Sequence, residues 1–135
     1  MERPSLLFVY GTLTRNQRRH HWLLPYADYL GAASIAGRVY RLPGKDYPGA
    51  APSRHGRDRI YGELYRLREP VRALRVLDRV EDCPAGEFRR ALVELKSGVP
   101  RYGGTGERMA WTYVYALPLT SAERIPGGRY RLRVP

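Results

Sequence analysis

The chain has little cysteine, little lysine and no long apolar run, and each shortage excludes a class of protein. Its 135 residues include one cysteine, Cys83, which rules out an internal disulfide framework and favours a reducing cytoplasm. No apolar run approaches the roughly 20 residues that cross a bilayer, so we expect no membrane partner. Residues 1–6 lack the pattern of a signal peptide, and we therefore expect a cytoplasmic protein.

The sequence also lacks the residue patterns of metal and phosphate sites. His20 and His21 are adjacent, so their side chains diverge, and His55 stands alone, so no Cys and His cluster has zinc spacing. The glycine-rich residues 103–106 lack the lysine of a phosphate-binding loop. No histidine lies near Cys83 in the sequence, so a free thiol is favoured over a catalytic nucleophile. We expect no metal and no cofactor.

A formal net charge of +11 is the strongest compositional signal, and it invites a nucleic-acid partner. Nearly all of this charge is arginine, because only Lys45 and Lys96 are lysines. A GC-rich genome can produce such a bias without selection for binding. The arginines are also scattered from Arg3 to Arg133, with the densest group over residues 15–19. A basic nucleic-acid-associated domain is therefore the less favoured alternative.

Length and hydrophobic content predict one globular domain over residues 1–135. Hydrophobic residues make up 43% of the chain, enough for a single core at this size. Many strands with one or two helices indicate the α+β class, and closure into a small barrel would remove exposed strand edges. The patterns predict strands over 6–10, 37–42, 58–67, 88–95 and 109–117, a short or broken helix over 20–30, a helix over 70–81, a loop over 46–57 and an irregular tail from 121.

Glu81 is a carboxylate in a place where a hydrophobic side chain is expected. It ends the helical segment 70–81, which opens with proline, a favoured first helical residue. At roughly 100° per residue, one apolar arc contains Val71, Leu74, Leu77 and Val80, with Arg72, Arg75 and Arg79 opposite and Asp78 at the edge. Glu81 projects near the middle of that arc. Burial raises the pKa of a carboxyl group, which makes Glu81 a candidate proton acceptor near neutral pH. The alternative is that the helix frays at Val80 and Glu81 points into water.

The residues that follow the first predicted strand form a second candidate element. Leu6 to Tyr10 are apolar on both faces, as in a buried central strand, and Gly11 follows at once. A glycine there lets the next backbone N–H groups, of Thr12 and Leu13, turn toward a ligand and form a small anion-binding nest. A nest beside a buried general base supplies two parts needed for acyl transfer at a carboxamide.

Several short segments, taken in order, resemble a known family. The most specific are Tyr10-Gly11-Thr12-Leu13 and the Leu-Asp-x-x-Glu pattern that ends at Glu81. The others are residues 37–42, 47–48, 62–65, 88–90 and 111–115. Together they resemble the gamma-glutamylcyclotransferase-like (AIG2-like) family, and the match runs over nearly the whole chain.

The resemblance implies a fold and a reaction. The fold is a compact mixed β-barrel flanked by a few helices, and active members cyclise a γ-glutamyl group to 5-oxoproline and release the attached amine without a cofactor. Glu81 takes the place of the family's acid/base, and the loop of Tyr10, Gly11, Thr12 and Leu13 takes the place that holds substrate through backbone amides. Tyr115 either adds a hydroxyl to the pocket or packs in the core. The expected partner is a small-molecule γ-glutamyl substrate, and exposed aromatic strands would allow a homodimer.

Three positions depart from the pattern common in that family. Asp82 follows Glu81 where glycine is frequent, Phe88 stands where tyrosine is usual, and residues 128–130 read Gly-Arg-Tyr instead of Gly-Asp-Trp. The residue after Glu81 bears on the shape of the helix end, and the other two departures leave the substrate preference open. Because membership of a fold does not fix function, the chain could instead be a non-catalytic relative that binds a small molecule, and this stays the alternative hypothesis.

Overall fold

The structure is a computed structural model, and it describes residues 5–83, 86–99 and 108–130. Within these ranges the chain forms one α-helix, α1 (Pro70–Val80), and two single-turn 3₁₀ helices, His20–Trp22 and Leu24–Tyr26. The strands in the same ranges are β1 (Leu6–Val9), β2 (Ala27–Arg41), β3 (Pro48–Pro52), β4 (Arg59–Leu67), β5 (Phe88–Ser97), β6 (Met109–Tyr115) and β7 (Glu123–Arg124).

Five of the strands close into a mixed barrel, in the order β2, β4, β1, β6 and β5. The barrel closes where β5 returns to β2, with Ser34 opposite Ser97. β1 runs parallel to β6, with Leu7 opposite Trp111, whereas the other pairs in the barrel are antiparallel. β3 and β7 both pair with the second half of β2. The predicted α+β class and the mixed barrel are confirmed.

The position of β1 between two hydrophobic cores explains why its sequence is apolar on both faces. Its side chains alternate, so Leu6 and Phe8 face the barrel interior, whereas Leu7 and Val9 pack outward in the core beneath α1, which includes Leu74. All four β1 residues are at most 3% exposed. β1 therefore contributes side chains to two hydrophobic cores, and the chain leaves the strand at Tyr10 and Gly11.

The prediction of a loop over 46–57 is wrong for residues 48–52, which form β3. Proline, glycine and alanine have low strand propensity, and the sequence pattern therefore indicated a turn. The strand forms because its backbone pairs along β2, with Val39 opposite Ala50 and Tyr40 opposite Gly49. β3 lies at the end of the sheet order, where proline is tolerated. Tertiary pairing thus overrides propensity here.

The two pieces predicted for the interrupted stretch 20–30 are the two 3₁₀ helices, divided before Pro25. Its last residues instead begin β2, which starts at Ala27 rather than Gly37. A bulge between Tyr29 and Gly31 breaks the regular pairing there, so no clean alternation marks this strand in the sequence. The tail from 121 contains only the two-residue β7, and residues 131–135 lie outside the described ranges.

Helix α1 packs on the barrel through a stripe of Ala73, Leu74 and Leu77. At about 100° per residue, Glu81 projects about 30° from the centre of that stripe and Val71 about 110° away. Val71, predicted in the apolar arc, is accordingly 51% exposed, because Ala73 and not Val71 completes the buried face. The three predicted outward arginines, at 72, 75 and 79, are exposed. No helix in the described part of the chain has the length and apolar character to cross a membrane.

Candidate active site

The end of α1 holds Glu81 in place by a Schellman motif. The Glu81 N–H still donates to the Leu77 carbonyl at 3.0 Å, as in the body of the helix. The Asp82 N–H then donates to the Arg79 carbonyl at 3.1 Å, and the Cys83 N–H donates to the Asp78 carbonyl at 2.8 Å. This pair of bonds requires a left-handed residue after the cap, and Asp82 adopts it, with φ of 51°. Asp82 thus takes the conformation that glycine, frequent at this position in the family that the sequence resembles, adopts without strain. The helix end is formed and does not fray at Val80.

The side chain of Glu81 is buried, only 9% exposed. Burial raises the pKa of this carboxyl group above its ordinary value of 4.5, and the charges of Arg19 and Arg18 oppose the rise. The Arg19 guanidinium lies nearest, with Nη1 3.9 Å from Glu81 Oε2. Glu81 therefore combines a largely desolvated carboxyl with two nearby cations, of which Arg19 is the closer, an arrangement suited to exchanging a proton near neutral pH.

The loop after β1 presents three backbone N–H groups beside Glu81. Gly11, Thr12 and Leu13 are buried, and none of the hydrogen bonds among the described residues is donated by their N–H groups. Buried N–H groups without an acceptor are rare, so this segment is suited to receiving an anionic or carbonyl oxygen. The carbonyl groups of this segment are bonded to the residues that follow. The Gly11 carbonyl accepts from the Thr14 N–H at 3.0 Å, and the Thr12 carbonyl accepts from the Arg19 N–H at 2.9 Å.

Gly11 allows this loop to approach β3. A Cβ at Gly11 would lie 2.9 Å from Cδ and Cγ of Pro48, closer than carbon atoms can pack. The Gly11 and Pro48 positions are therefore matched across the pocket, although they lie in separate segments of the sequence. Any side chain at Gly11 would push the loop away from β3 and move the N–H groups of Thr12 and Leu13.

One pocket brings together five of the six site residues predicted from the sequence. They are Tyr10, Gly11, Thr12, Leu13 and Glu81, and the lining is completed by Phe8, Val9, Tyr47, Pro48, Phe88 and Tyr113. The pocket has a volume of about 30 Å³, room for one or two water molecules. A glutamyl group is larger, so the side chains at the rim must move when such a ligand enters.

Tyr10 lines the pocket with its ring, but its hydroxyl is already engaged. The hydroxyl donates to the Tyr113 carbonyl at 2.5 Å, and the backbone of Ala50 also bonds it. Burial above all, and then the charge of Glu81, raises the pKa of this phenol well above its usual range. Tyr10 therefore stays neutral and ties the loop to β6 and β3.

Tyr115 lies beside the pocket and not among the described residues that line it. Its ring packs edge-on to Phe88, with centroids 5.7 Å apart, and its Cβ stands 2.8 Å from where a Cβ on Gly49 would be. Tyr113, two residues earlier on the same face of the strand, lines the pocket instead. The period-two pattern predicted the shared face correctly, but it did not indicate which tyrosine reaches the pocket.

A polar network that the sequence did not reveal joins α1 to the sheet. Asp78 Oδ1 accepts from the Tyr113 hydroxyl at 2.7 Å and from Arg90 Nε at 3.0 Å. Arg90 also stacks over the Trp111 ring, 4.5 Å from its centroid. Burial and the bond to Asp78 raise the pKa of Tyr113 far above its usual range, so it remains a donor. Asp78 lies one helical turn before Glu81, so its bonds to Arg90 and Tyr113 attach the end of α1 that carries Glu81 to the sheet.

Tyr47, which lines the pocket, is bonded to a charged pair outside it. The Tyr47 hydroxyl donates a short hydrogen bond to Glu87, and Lys45 Nζ lies 3.8 Å from the same carboxylate. Burial and Glu87 raise the pKa of Tyr47 to about 12. Phe88 packs against the Tyr47 ring at 5.8 Å between centroids, so the missing hydroxyl at Phe88 leaves an apolar wall.

Cys83 and the histidines offer no alternative chemistry in this pocket. Cys83 packs against the core beneath α1, and burial raises the pKa of its thiol, which lowers the thiolate fraction that nucleophilic attack needs. The His20 ring is bonded to the Leu13 carbonyl at 2.8 Å. No group of three or more His, Cys, Asp and Glu within the described ranges is placed to hold a metal ion.

Comparison with known proteins identifies a family and a fold. The family model described as Gamma-glutamyl cyclotransferase, AIG2-like, matches residues 7–132. The chain is 33% identical over 123 residues to the Gamma-glutamylcyclotransferase family protein YtfP of Escherichia coli (strain K12), covering 90% of this chain and 92% of that protein. It is 39% identical over 92 residues to the Gamma-glutamylaminecyclotransferase of Bos taurus, covering 61% of this chain and 51% of that protein. The solution NMR structure of Escherichia coli ytfP superposes with a TM-score of 0.64 at 30% identity, covering 93% of this chain and 95% of that one.

Proposed function

Because the chain belongs to the gamma-glutamyl cyclotransferase, AIG2-like family, we propose that it converts a γ-glutamyl-amine or γ-glutamyl peptide to 5-oxoproline and the free amine. The observation that carries this proposal is the position of Glu81. Its buried carboxyl lines the same pocket as residues 11–13, whose N–H groups have no acceptor among the described residues. A proton acceptor and a set of oxygen-binding donors thus face one small space.

Glu81 starts the reaction as a base. It takes a proton from the α-ammonium group of the bound γ-glutamyl moiety, and the freed amine attacks the γ-carbonyl carbon of the same molecule. Holding the two ends of the glutamyl chain close removes most of the entropic barrier to this ring closure. A carboxyl whose pKa is raised by burial is a stronger base than an exposed one once it is ionised.

The N–H groups of Gly11, Thr12 and Leu13 act on the oxygens of the substrate. They bind either the α-carboxylate or the negative charge that develops on the γ-carbonyl oxygen during attack. Donors that are already oriented and shielded from water stabilise such charge strongly. The tie between Tyr10 and the Tyr113 carbonyl, 2.5 Å, holds the loop in this orientation.

Glu81 completes the reaction as an acid. The bond between the γ-carbon and the leaving nitrogen breaks as that nitrogen receives the proton from Glu81. After this cleavage Glu81, ionised again, removes a second proton from the ring nitrogen and passes it to the released amine, which departs as an ammonium ion, and the ring retains one N–H. The atoms balance without water, an oxidant or a cofactor, and Glu81 returns to its ionised state.

The test measures 5-oxoproline by mass spectrometry after the purified protein is incubated with a panel of γ-glutamyl-amines and γ-glutamyl dipeptides. We expect Glu81→Gln to lower kcat by about 10²–10⁴-fold with little change in substrate affinity. Glu69→Gln is the matched control, because Glu69 precedes the same helix and its side chain is 73% exposed. It should retain wild-type activity.

Two results would contradict the proposal. If the folded wild-type protein releases no 5-oxoproline from any member of the panel but binds one of them, the non-catalytic binding function replaces this one. If 5-oxoproline appears and Glu81→Gln forms it at the wild-type rate, another group carries the proton and Glu81 loses its assigned role.

A further inference from the structure

Among the described residues, Arg19 is the cation that lies nearest Glu81. Its guanidinium lies 3.9 Å from the carboxylate and 5.8 Å from the centre of the Tyr47 ring. Neither distance is a hydrogen bond. Within the described ranges the five N–H donors of this guanidinium have no acceptor. Because the side chain is only 28% exposed, this is an unusual state for a cation.

Arg19 is not among the described residues that line the pocket, and its side chain approaches Glu81 from outside that lining. Its backbone N–H donates to the Thr12 carbonyl at 2.9 Å, which anchors it beside the pocket mouth, and its side chain reaches over Tyr47 and Glu81. Thr12 itself is 6% exposed, so the loop amides occupy the inner end. In the reaction proposed above the leaving nitrogen receives its proton from Glu81, so the leaving group lies near Glu81, and the Arg19 guanidinium is the cation nearest that carboxyl.

A second hollow lies next to the pocket. It has a volume of about 460 Å³ and is lined by Thr12, Asn16, Gln17, Arg18 and Asp46. Thr12 belongs to both spaces, so the hollow adjoins the pocket at this residue. Arg18 pairs with Asp46 at 2.6 Å, and the Tyr130 hydroxyl binds the Asp46 carbonyl at 2.7 Å. Arg18 is thus paired with a carboxylate at hydrogen-bond distance, whereas no described residue accepts a hydrogen bond from the Arg19 side chain.

We propose that Arg19 is a specificity-determining residue, which leaves Glu81 when substrate enters and binds a carboxylate on the leaving amine. The preferred substrates are then γ-glutamyl derivatives whose leaving amine carries a carboxylate, and not those of neutral amines or polyamines. This role presupposes the cyclotransferase reaction proposed above. A guanidinium and a carboxylate pair through two parallel hydrogen bonds, which would satisfy donors that have no acceptor among the described residues.

The movement of Arg19 would also assist the acid step. In the free protein Arg19 and Arg18 favour the ionised form of Glu81, which is the form that acts as a base. When Arg19 turns to the substrate carboxylate, Glu81 loses its nearest cation and holds its newly acquired proton more firmly until the leaving nitrogen takes it. The other titratable groups that interact with Glu81 are Tyr10, Tyr113 and Cys83, and the pKa of each is raised, so they stay neutral.

The experiment compares γ-glutamyl-alanine with γ-glutamyl-alaninamide, which differ only in the charge of the leaving group. For the wild-type protein kcat/KM should be higher for γ-glutamyl-alanine. Arg19→Gln should lower it by about 10- to 100-fold and change the alaninamide value by less than about twofold. Arg19→Lys should restore part of the ratio. The ratio cancels any change in the pKa of Glu81 in the free protein, because kcat/KM for both substrates reports the same free form.

Arg72→Gln is the matched control, because it removes the same charge from the outer face of α1, where Arg72 is 70% exposed. It should leave both values unchanged. An equal loss for the two substrates in Arg19→Gln would place Arg19 on the glutamyl half and overturn the inference, and so would an unchanged ratio. Absence of 5-oxoproline from both substrates with the folded wild-type protein would instead overturn the proposed function, and this inference with it.

Discussion

The contact of Asp78 with Tyr113 and Arg90 should be a main tether of α1 to the barrel. Replacing Asp78 with alanine removes a charged hydrogen bond from a buried hydroxyl, since Tyr113 is 4% exposed, and such a bond contributes about 1.5–3 kcal/mol. It also breaks the pair with Arg90, whose side chain is 22% exposed, for which about 0.5–1 kcal/mol is reasonable at a partly screened site. We therefore expect the free energy of unfolding to fall by about 2–4 kcal/mol.

Urea denaturation followed by circular dichroism measures this loss. With an m-value of about 2 kcal/mol/M, the unfolding midpoint of Asp78→Ala should fall by about 1–2 M. Tyr113→Phe should cost less, because Asp78 keeps Arg90. In the double variant the two losses should overlap, with a coupling energy of about 1–2 kcal/mol.

Two outcomes would refute this reasoning. An Asp78→Ala protein within about 0.5 kcal/mol of wild type would behave as ordinary surface substitutions do, and the network would then contribute nothing. Losses that add within about 0.3–0.5 kcal/mol in the double variant would show that Asp78 and Tyr113 do not interact in solution.

Two further predictions concern the helix end. The pKa of Glu81 in the folded protein is raised above its ordinary 4.5, so its contribution to stability is fully present below that value and is lost as pH rises through the folded-state pKa. Glu81→Gln should therefore gain stability relative to wild type between pH 4 and pH 8, measured by urea unfolding at each pH, and a relative loss over that range would contradict the burial of the charged form. Asp82→Gly should relieve the left-handed strain at φ of 51° and raise the free energy of unfolding by up to about 1 kcal/mol, with 5-oxoproline formation unchanged. A destabilised Asp82→Gly protein would mean that the Asp82 side chain contributes more than its backbone strain costs.

Local pattern was enough to find the two central elements of the candidate site. Helical periodicity placed Glu81 on the apolar face of α1, where its side chain is 9% exposed, because a helix repeats every 3.6 residues whatever it packs against. A glycine directly after a doubly apolar strand marked the loop 11–13, because such a run predicts a central strand and glycine permits the turn. The catalytic and binding roles of these residues stay predictions until the assays above are done.

Local pattern failed where a strand or contact depends on a distant partner. The segment 48–52 has the composition of a turn and becomes β3 only because β2 offers its backbone, with Val39 opposite Ala50. Tyr113 and Tyr115 are equivalent by period two, and the position of the loop after β1 decides that Tyr113 lines the pocket.

The sequence by itself determined the α+β class, the apolar face of α1, the carboxylate on that face and the glycine turn beside it. These properties depend on residues within one element, and their spacing is visible along the chain. Only the tertiary structure decided which groups meet Glu81. Arg19 lies 62 residues before it and comes within 3.9 Å, and the Tyr113 hydroxyl reaches Asp78 across 35 residues. Such contacts arise from barrel closure and from the packing of α1, and no local spacing encodes them.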